Sequence, residues 1–155
     1  LQQWTGCCDF HVVFASDCMD VTPAVMFQVL NGRSGMMVLC VGVNGELFGA
    51  FWDVPMHDGV VGCESTCLFA LRDRTAVVPC CFEQGTCEYG VKIGADQTAV
   101  IDVCDGLVIS DALEATVPAA FAQSFTPLDE TRCFFPTDPF DFQCSLASLF
   151  IFHWF

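Results

Sequence analysis

The chain has 155 residues, the usual size of one domain, and its 54% hydrophobic and 15% charged residues exclude intrinsic disorder and allow a single core to form. Against 19 acidic residues stand five basic ones, Arg33, Arg72, Arg74, Lys92 and Arg132, giving a formal net charge of -14. That balance argues against nucleic acid and against anionic membrane surfaces, both of which are held by clustered Lys and Arg.

In chain order, residues 11–15 are a short apolar run ended by Ser16-Asp17 and predict the first strand. Thr22-Pro23 then reads as a helix start, with Thr as the N-cap and Pro where a missing N–H costs nothing. Val25, Met26, Val29 and Leu30 share one helical face, and Asn31-Gly32 supplies the stop. Residues 36–43 and 46–54 are two β-rich runs joined at Asn44-Gly45, which tolerates the positive φ angles of a type I′ turn and predicts an antiparallel hairpin. Residues 55–59 read as a loop. Residues 66–71 and 75–78 predict two more strands about the polar turn Arg72-Asp73-Arg74. Another hairpin is expected over residues 89–103, turning near Ala95-Asp96-Gln97. Residues 110–140 hold Pro118, Pro127, Pro136 and Pro139, and predict an irregular excursion with one short helical turn. The apolar run 146–155 predicts a buried last strand.

Short strands, frequent turns and few helices together predict one domain over residues 1–155 of the α+β class, mainly β. Two antiparallel sheets are expected to pack face to face as a sandwich with a few short flanking helices. The mean hydropathy of +0.52 raises the question of a membrane span. Residues 142–155 lack Asp, Glu, Lys and Arg but fall short of the ~20 residues needed to cross a bilayer, so none is expected. Leu1-Gln2-Gln3-Trp4 shows neither the basic nor the apolar region of a secretory signal. Residue 1 is Leu, so a removed leader or a longer parent chain stays open.

The 12 cysteines invite a disulfide reading, yet several lie inside apolar runs, as Cys40 and Cys67 do, where a thiol acts as a small hydrophobe. With so much core-forming sequence, a reducing compartment, cytoplasm or nucleus, is favoured over a stapled secreted domain. For metals, Cys63 and Cys67 are the one pair near zinc-finger spacing. Adjacent Cys7-Cys8 and Cys80-Cys81 point to opposite faces if extended. A zinc site built from Cys80, Cys81 and Cys87 stays open as an alternative. A thiol nucleophile needs one of His11, His57 or His153 beside it, and their contexts, a loop and two strand flanks, favour structural roles. Asn31-Gly32-Arg33-Ser34-Gly35 lacks the Gly-Lys-Ser/Thr ending of a phosphate loop and leads into a strand, so it reads as a connector. Carboxylates such as Asp129-Glu130 sit in polar loop sequence and support no hydrolase. The residues therefore predict no catalytic, cofactor or metal site and no enzyme, with a protein as the partner.

Several strings resemble the TLDc domain, the module of oxidation-resistance proteins. They are Trp4-Thr5-Gly6 with Val13-Phe14-Ala15-Ser16-Asp17, then Asn44-Gly45-Glu46-Leu47-Phe48-Gly49-Ala50-Phe51. Cys67-Leu68-Phe69-Ala70-Leu71 and Tyr89-Gly90-Val91-Lys92-Ile93 follow. The chain is most similar to divergent stand-alone versions in protists, and departs from the animal pattern at Ser65 and Gly94, where acidic residues align. The resemblance implies a non-enzymatic adaptor, with links to oxidative-stress protection and association with the vacuolar proton-pumping ATPase. A cysteine-rich redox-sensing or zinc-binding domain is the alternative.

Overall fold

In a computed structural model, residues 6, 9–63, 66–74, 76–94, 98–127, 135 and 142–155 are described. The alternation of apolar side chains makes most of them strand. The first strand, β1, is Phe10–Ala15, followed by the helix α1 over Pro23–Leu30, then β2 (Met36–Gly42), β3 (Leu47–Trp52) and β4 (Val60–Val61). β5 (Thr66–Arg72), β6 (Val77–Gln84), β7 (Val91–Ile93), β8 (Ala99–Val103), β9 (Leu107–Ser110) and β10 (Glu114–Val117) come next. A short helix, α2 (Phe121–Ser124), β11 (Phe125–Pro127) and the long β12 (Phe142–Trp154) complete the order. The mainly-β class is as the sequence predicts.

The strands form one antiparallel sheet in the order β11-β6-β5-β3-β2-β12-β10-β9-β8-β7-β4, with β1 also on β12. β12, at 13 residues, is the strand that joins its two wings. Its first residues, Phe142 to Ser145, pair with β10, while Leu146 onward pairs with β2 and Phe150 to Trp154 also pairs with β1. A bulge between Leu146 and Ser148 sits where the partners change, as bulges do where a strand bends. One buried cluster draws on both wings and on α1, with Val38, Phe48, Leu68 and Phe82 beside Ile101, Leu107 and Ile109, and Met26 and Leu30 from the helix. The wings come close enough that a Cβ at Gly106 would stand 2.6 Å from Leu68 Cδ1.

A second buried cluster, Met37, Phe51, Phe69 and Trp154, lies on alternate positions of β2, β3, β5 and β12. Burial on both faces explains why these strands read as nearly unbroken apolar runs. α1 starts as expected: Thr22 Oγ1 accepts the Val25 N–H at 3.3 Å and Pro23 opens the first turn. Met26, Val29 and Leu30 are its buried residues.

Three expectations are corrected. The β2–β3 hairpin is present with Met36 opposite Trp52, but its turn is not type I′, which needs two positive φ angles. Gly45 alone of the central pair has one, at φ 91. Its N–H donates to Gly42 O, and the Gly42 N–H donates to Glu46 O, which makes a three-residue loop closed by a glycine bulge. The carboxylate of Glu46 accepts the Asn44 N–H at 3.1 Å and so favours the wider loop. β6 runs to Gln84 rather than stopping at residue 78, because Cys80 and Phe82 supply buried side chains beyond the proline at 79. Residues 110–127 are also more regular than expected. The helical turn is there as α2, but β10 and β11 flank it. Of the earlier readings, Trp4-Thr5, Cys7-Cys8, Ser65, Thr75, Ala95-Asp96-Gln97, Asp129-Glu130, Pro136 and Pro139 lie outside the described residues.

Candidate functional site

The candidate residues separate into places that carry structure and places that face outward. The connector at residues 31–35 belongs to the first kind. Its Gly32 N–H donates to Met56 O at 2.7 Å and its Arg33 N–H to Leu30 O at 3.2 Å, while Asn31 Oδ1 accepts the Gly59 N–H. Two of the backbone donors that a phosphate would need, those of Gly32 and Arg33, are already engaged.

Buried Glu46 is also structural. Arg74 Nε donates to its Oε1 at 2.6 Å, with the arginine 60% exposed and the glutamate 1%. Burial pushes the Glu46 carboxyl up, but the hydrogen bonds from Arg74 and the Asn44 amide outweigh that and hold it below the usual carboxylate range. Cys144 lies beside it, its thiol pushed up to about 11 by burial first and then by the Glu46 charge.

The cysteines fall differently from the grouping of Cys80, Cys81 and Cys87. Cys80 belongs to the main core, and Cys81, the next residue of an extended strand, faces the other way onto Cys67. Cys87 sits on the β6–β7 connection, its thiol hydrogen-bonded to Tyr89 O and to Gln84 Nε2, whose amide also reaches Cys104 O, and the thiols of Cys63 and Cys104 are near enough to add to burial in raising its pKa. The zinc alternative is therefore overturned as drawn, since its three thiols are split between two faces and a loop. Among the described residues no three His, Cys, Asp or Glu side chains stand close enough together to hold a metal ion. Sequence reasoning missed Cys63 and Cys104 as neighbours of Cys87, because contacts between residues 63, 87 and 104 are made by the sheet order and leave no spacing signal.

Two of the three histidines meet, and not at a thiol. His11 and His153 are cross-strand partners on β1 and β12 with ring centroids 5.1 Å apart, and Phe155 lies 5.6 Å from the first and 5.8 Å from the second. Burial first, then the neighbouring His11 and Arg33, lower the His153 pKa. His57 stands in the loop before β4, its N–H donated to Val60 O.

This histidine pair belongs to the outward-facing part of the molecule. Phe10 is 53% exposed and Val12 52%, and no charged side chain occurs from Phe10 to Ala15. Phe10 stacks on Trp154 at 4.9 Å and meets Phe152 edge-on at 5.4 Å, so the exposed ring is held on a firm base. Among the described residues β1 is paired on one side, with β12. The far wing differs. Its outward positions are mostly polar, Val60 at 38% exposed excepted, and a hollow of about 340 Å³ there is lined by Thr98, Ser110, Asp111, Glu114 and Thr116 together with Ala99, Val108 and Ala112.

No family model matches the chain, and no curated protein is similar enough to match it.

Proposed function

We propose that this chain is a non-enzymatic protein-interaction domain similar to TLDc, which docks a partner by taking an extended segment of it against β1. The observation that carries this reading is the first half of β1, where Phe10 and Val12 stand half exposed beside an edge that no strand pairs among the described residues. Such an edge offers unpaired backbone groups, and native proteins usually guard it with charge or proline. Here neither occurs between Phe10 and Ala15, and the one bulge, between Val12 and Phe14, leaves Phe10 to Val12 in regular register, so strand addition is the mode of recognition that fits. The net charge of -14 steers basic surfaces toward the molecule. The partner segment is accordingly an extended one, apolar at alternate positions and flanked by Lys or Arg.

The same proposal includes two antiparallel sheets packed face to face, supported by the core that both wings share. It also includes a cytoplasmic or nuclear setting, supported by nine free thiols among the described residues, from Cys18 to Cys144. The resemblance to TLDc adds oxidative-stress protection and the vacuolar ATPase as the setting in which to look for the partner. The test is affinity capture from the source cell with the wild-type chain and with the Phe10→Asp, Val12→Asp double variant. Partners held through β1 are lost from the variant while its far-UV spectrum and melting curve stay those of the wild type. Retention of every partner by a folded double variant contradicts the proposal.

A further inference from the structure

Three connections that are far apart in sequence meet at one end of the sheet. Cys63 follows β4, Cys87 lies between β6 and β7, and Cys104 opens the β8–β9 turn. Backbone bonds fix the meeting point: the Gly90 N–H donates to Val61 O at 2.7 Å, and the Cys104 N–H to Gly90 O at 3.2 Å. At the centre, the Cys87 thiol donates to Tyr89 O at 2.9 Å and accepts from Gln84 Nε2 at 2.9 Å. Gln84 Nε2 also lies 3.3 Å from Tyr89 O and 3.4 Å from Cys104 O, so one side-chain amide spans the group. The Tyr89 hydroxyl donates to Asp102 Oδ2 at 2.8 Å and closes the side nearest β8. All three cysteines are half-buried rather than buried, so a small reagent has access to them.

The geometry points to a reversible oxidation site at this cluster, in which Cys87 forms a disulfide with Cys104 or Cys63 when the protein meets a hydroperoxide. This goes beyond the adaptor reading and does not depend on it. The chemistry balances in two steps. A cysteine sulfur attacks the hydroperoxide, the O–O bond breaks, the alcohol or water leaves with the thiol proton, and a sulfenic acid remains. A neighbouring thiol then attacks that sulfur, the S–O bond breaks, water leaves and the S–S bond forms. Two thiols are thereby oxidised and one peroxide reduced. The third thiol can afterwards attack the disulfide and take over one partner with no net redox change.

A contrast inside the molecule gives the proposal its edge. Cys67 and Cys81 also share a face of β5 and β6, but as diagonal neighbours, since Cys81 pairs with Phe69 and Cys67 with Glu83. Diagonal strand positions are about 7–8 Å apart, beyond the spacing that a disulfide accepts without backbone movement. The three loop thiols carry no such register. Burial, then the neighbouring thiols, push the Cys87 thiol up to about 12, so its first oxidation is slow at neutral pH and speeds up as the pH is raised.

The test uses the full reduced chain, treated with hydrogen peroxide, blocked with N-ethylmaleimide and mapped by peptide mass spectrometry. The expected product is a peptide carrying Cys87 joined to one carrying Cys104 or Cys63, lighter by two hydrogens and restored by dithiothreitol. In Cys104→Ala the link moves to Cys63, and in Cys87→Ser the Cys87 links vanish. Should Cys87→Ser fail to fold, the wild-type map and Cys104→Ala decide alone. Conversion of Cys87 to sulfinic acid without a link overturns the proposal. So does a Cys67–Cys81 disulfide formed in preference, or a Cys87 that stays reduced while other cysteines oxidise.

Discussion

β12 reads in two ways along its own length. Between Phe142 and Ser148 its residues alternate, with Cys144 and Leu146 buried and Gln143, Ser145 and Ala147 exposed. From Leu149 onward, both faces are apolar, because Leu149 and Ile151 enter the main core while Phe152 and Trp154 join the second cluster. The first half belongs to a sheet with water on one side, and the second to a sheet covered on both. The difference bears on the proposed docking: the polar wing presents an outer face suited to water, whereas among the described residues the apolar wing ends at β1 with aromatic surface exposed.

Truncation along this one strand is the most forceful way to break the comparison. Ile151→Ala, in the doubly covered half, is expected to cost about 2–5 kcal/mol. Gln143→Ala, on the watered face, stays within about 0.5 kcal/mol. Urea midpoints read both, and equal losses would abolish the distinction. The cysteines sharpen it at a lower level. Cys40 is fully buried, and Cys40→Ser places a hydroxyl in the core at a cost of about 1–3 kcal/mol. Cys104→Ser, on a half-exposed turn, changes stability by about 0.5 kcal/mol or less.

Smaller effects are expected from the charged groups. Glu46 has its carboxyl held low in the fold, so its contribution is complete above the ordinary carboxylate pKa and is lost as pH falls through the depressed folded value. Arg74→Ala leaves burial to push that carboxyl up, so the urea midpoint drops at neutral pH and the decline on acidification seen in the wild type shrinks or reverses. The smallest change concerns His153, whose folded pKa is lowered. The unfolded chain takes up this proton first, so stability declines as pH falls below the ordinary histidine pKa of about 6.5. His11→Phe removes one of the two neighbouring groups that lower it and narrows that decline.

How much of this was legible beforehand depends on the range of the signal. α1 was readable because Thr22, Pro23 and the 25-26-29-30 face are local, and the β2–β3 hairpin because Asn44-Gly45 sits between two β-rich runs. The turn type was not, since it depends on Glu46 reaching back to the Asn44 amide. Asp105-Gly106, a turn signal of the same kind, marks the β8–β9 hairpin, where Asp105 has φ 57, yet Asp105 also follows a cysteine that reads as part of the preceding strand. Nothing local placed Cys63 beside Cys87, because β4 reaches β7 only through the sheet order. Nor was the edge position visible: residues 11–15 look like any buried strand, and it is the pairing of β1 with β12 alone, among the described residues, that leaves Phe10 and Val12 outside.

The central claim, that β1 is the docking strand, is tested most directly by amide hydrogen exchange of the chain alone and bound to a captured partner. Slowed exchange is expected over residues 10–14, with the amides of β8, β9 and β10 unchanged. Protection confined to the polar wing, with β1 exchanging as fast as in the free chain, would contradict it.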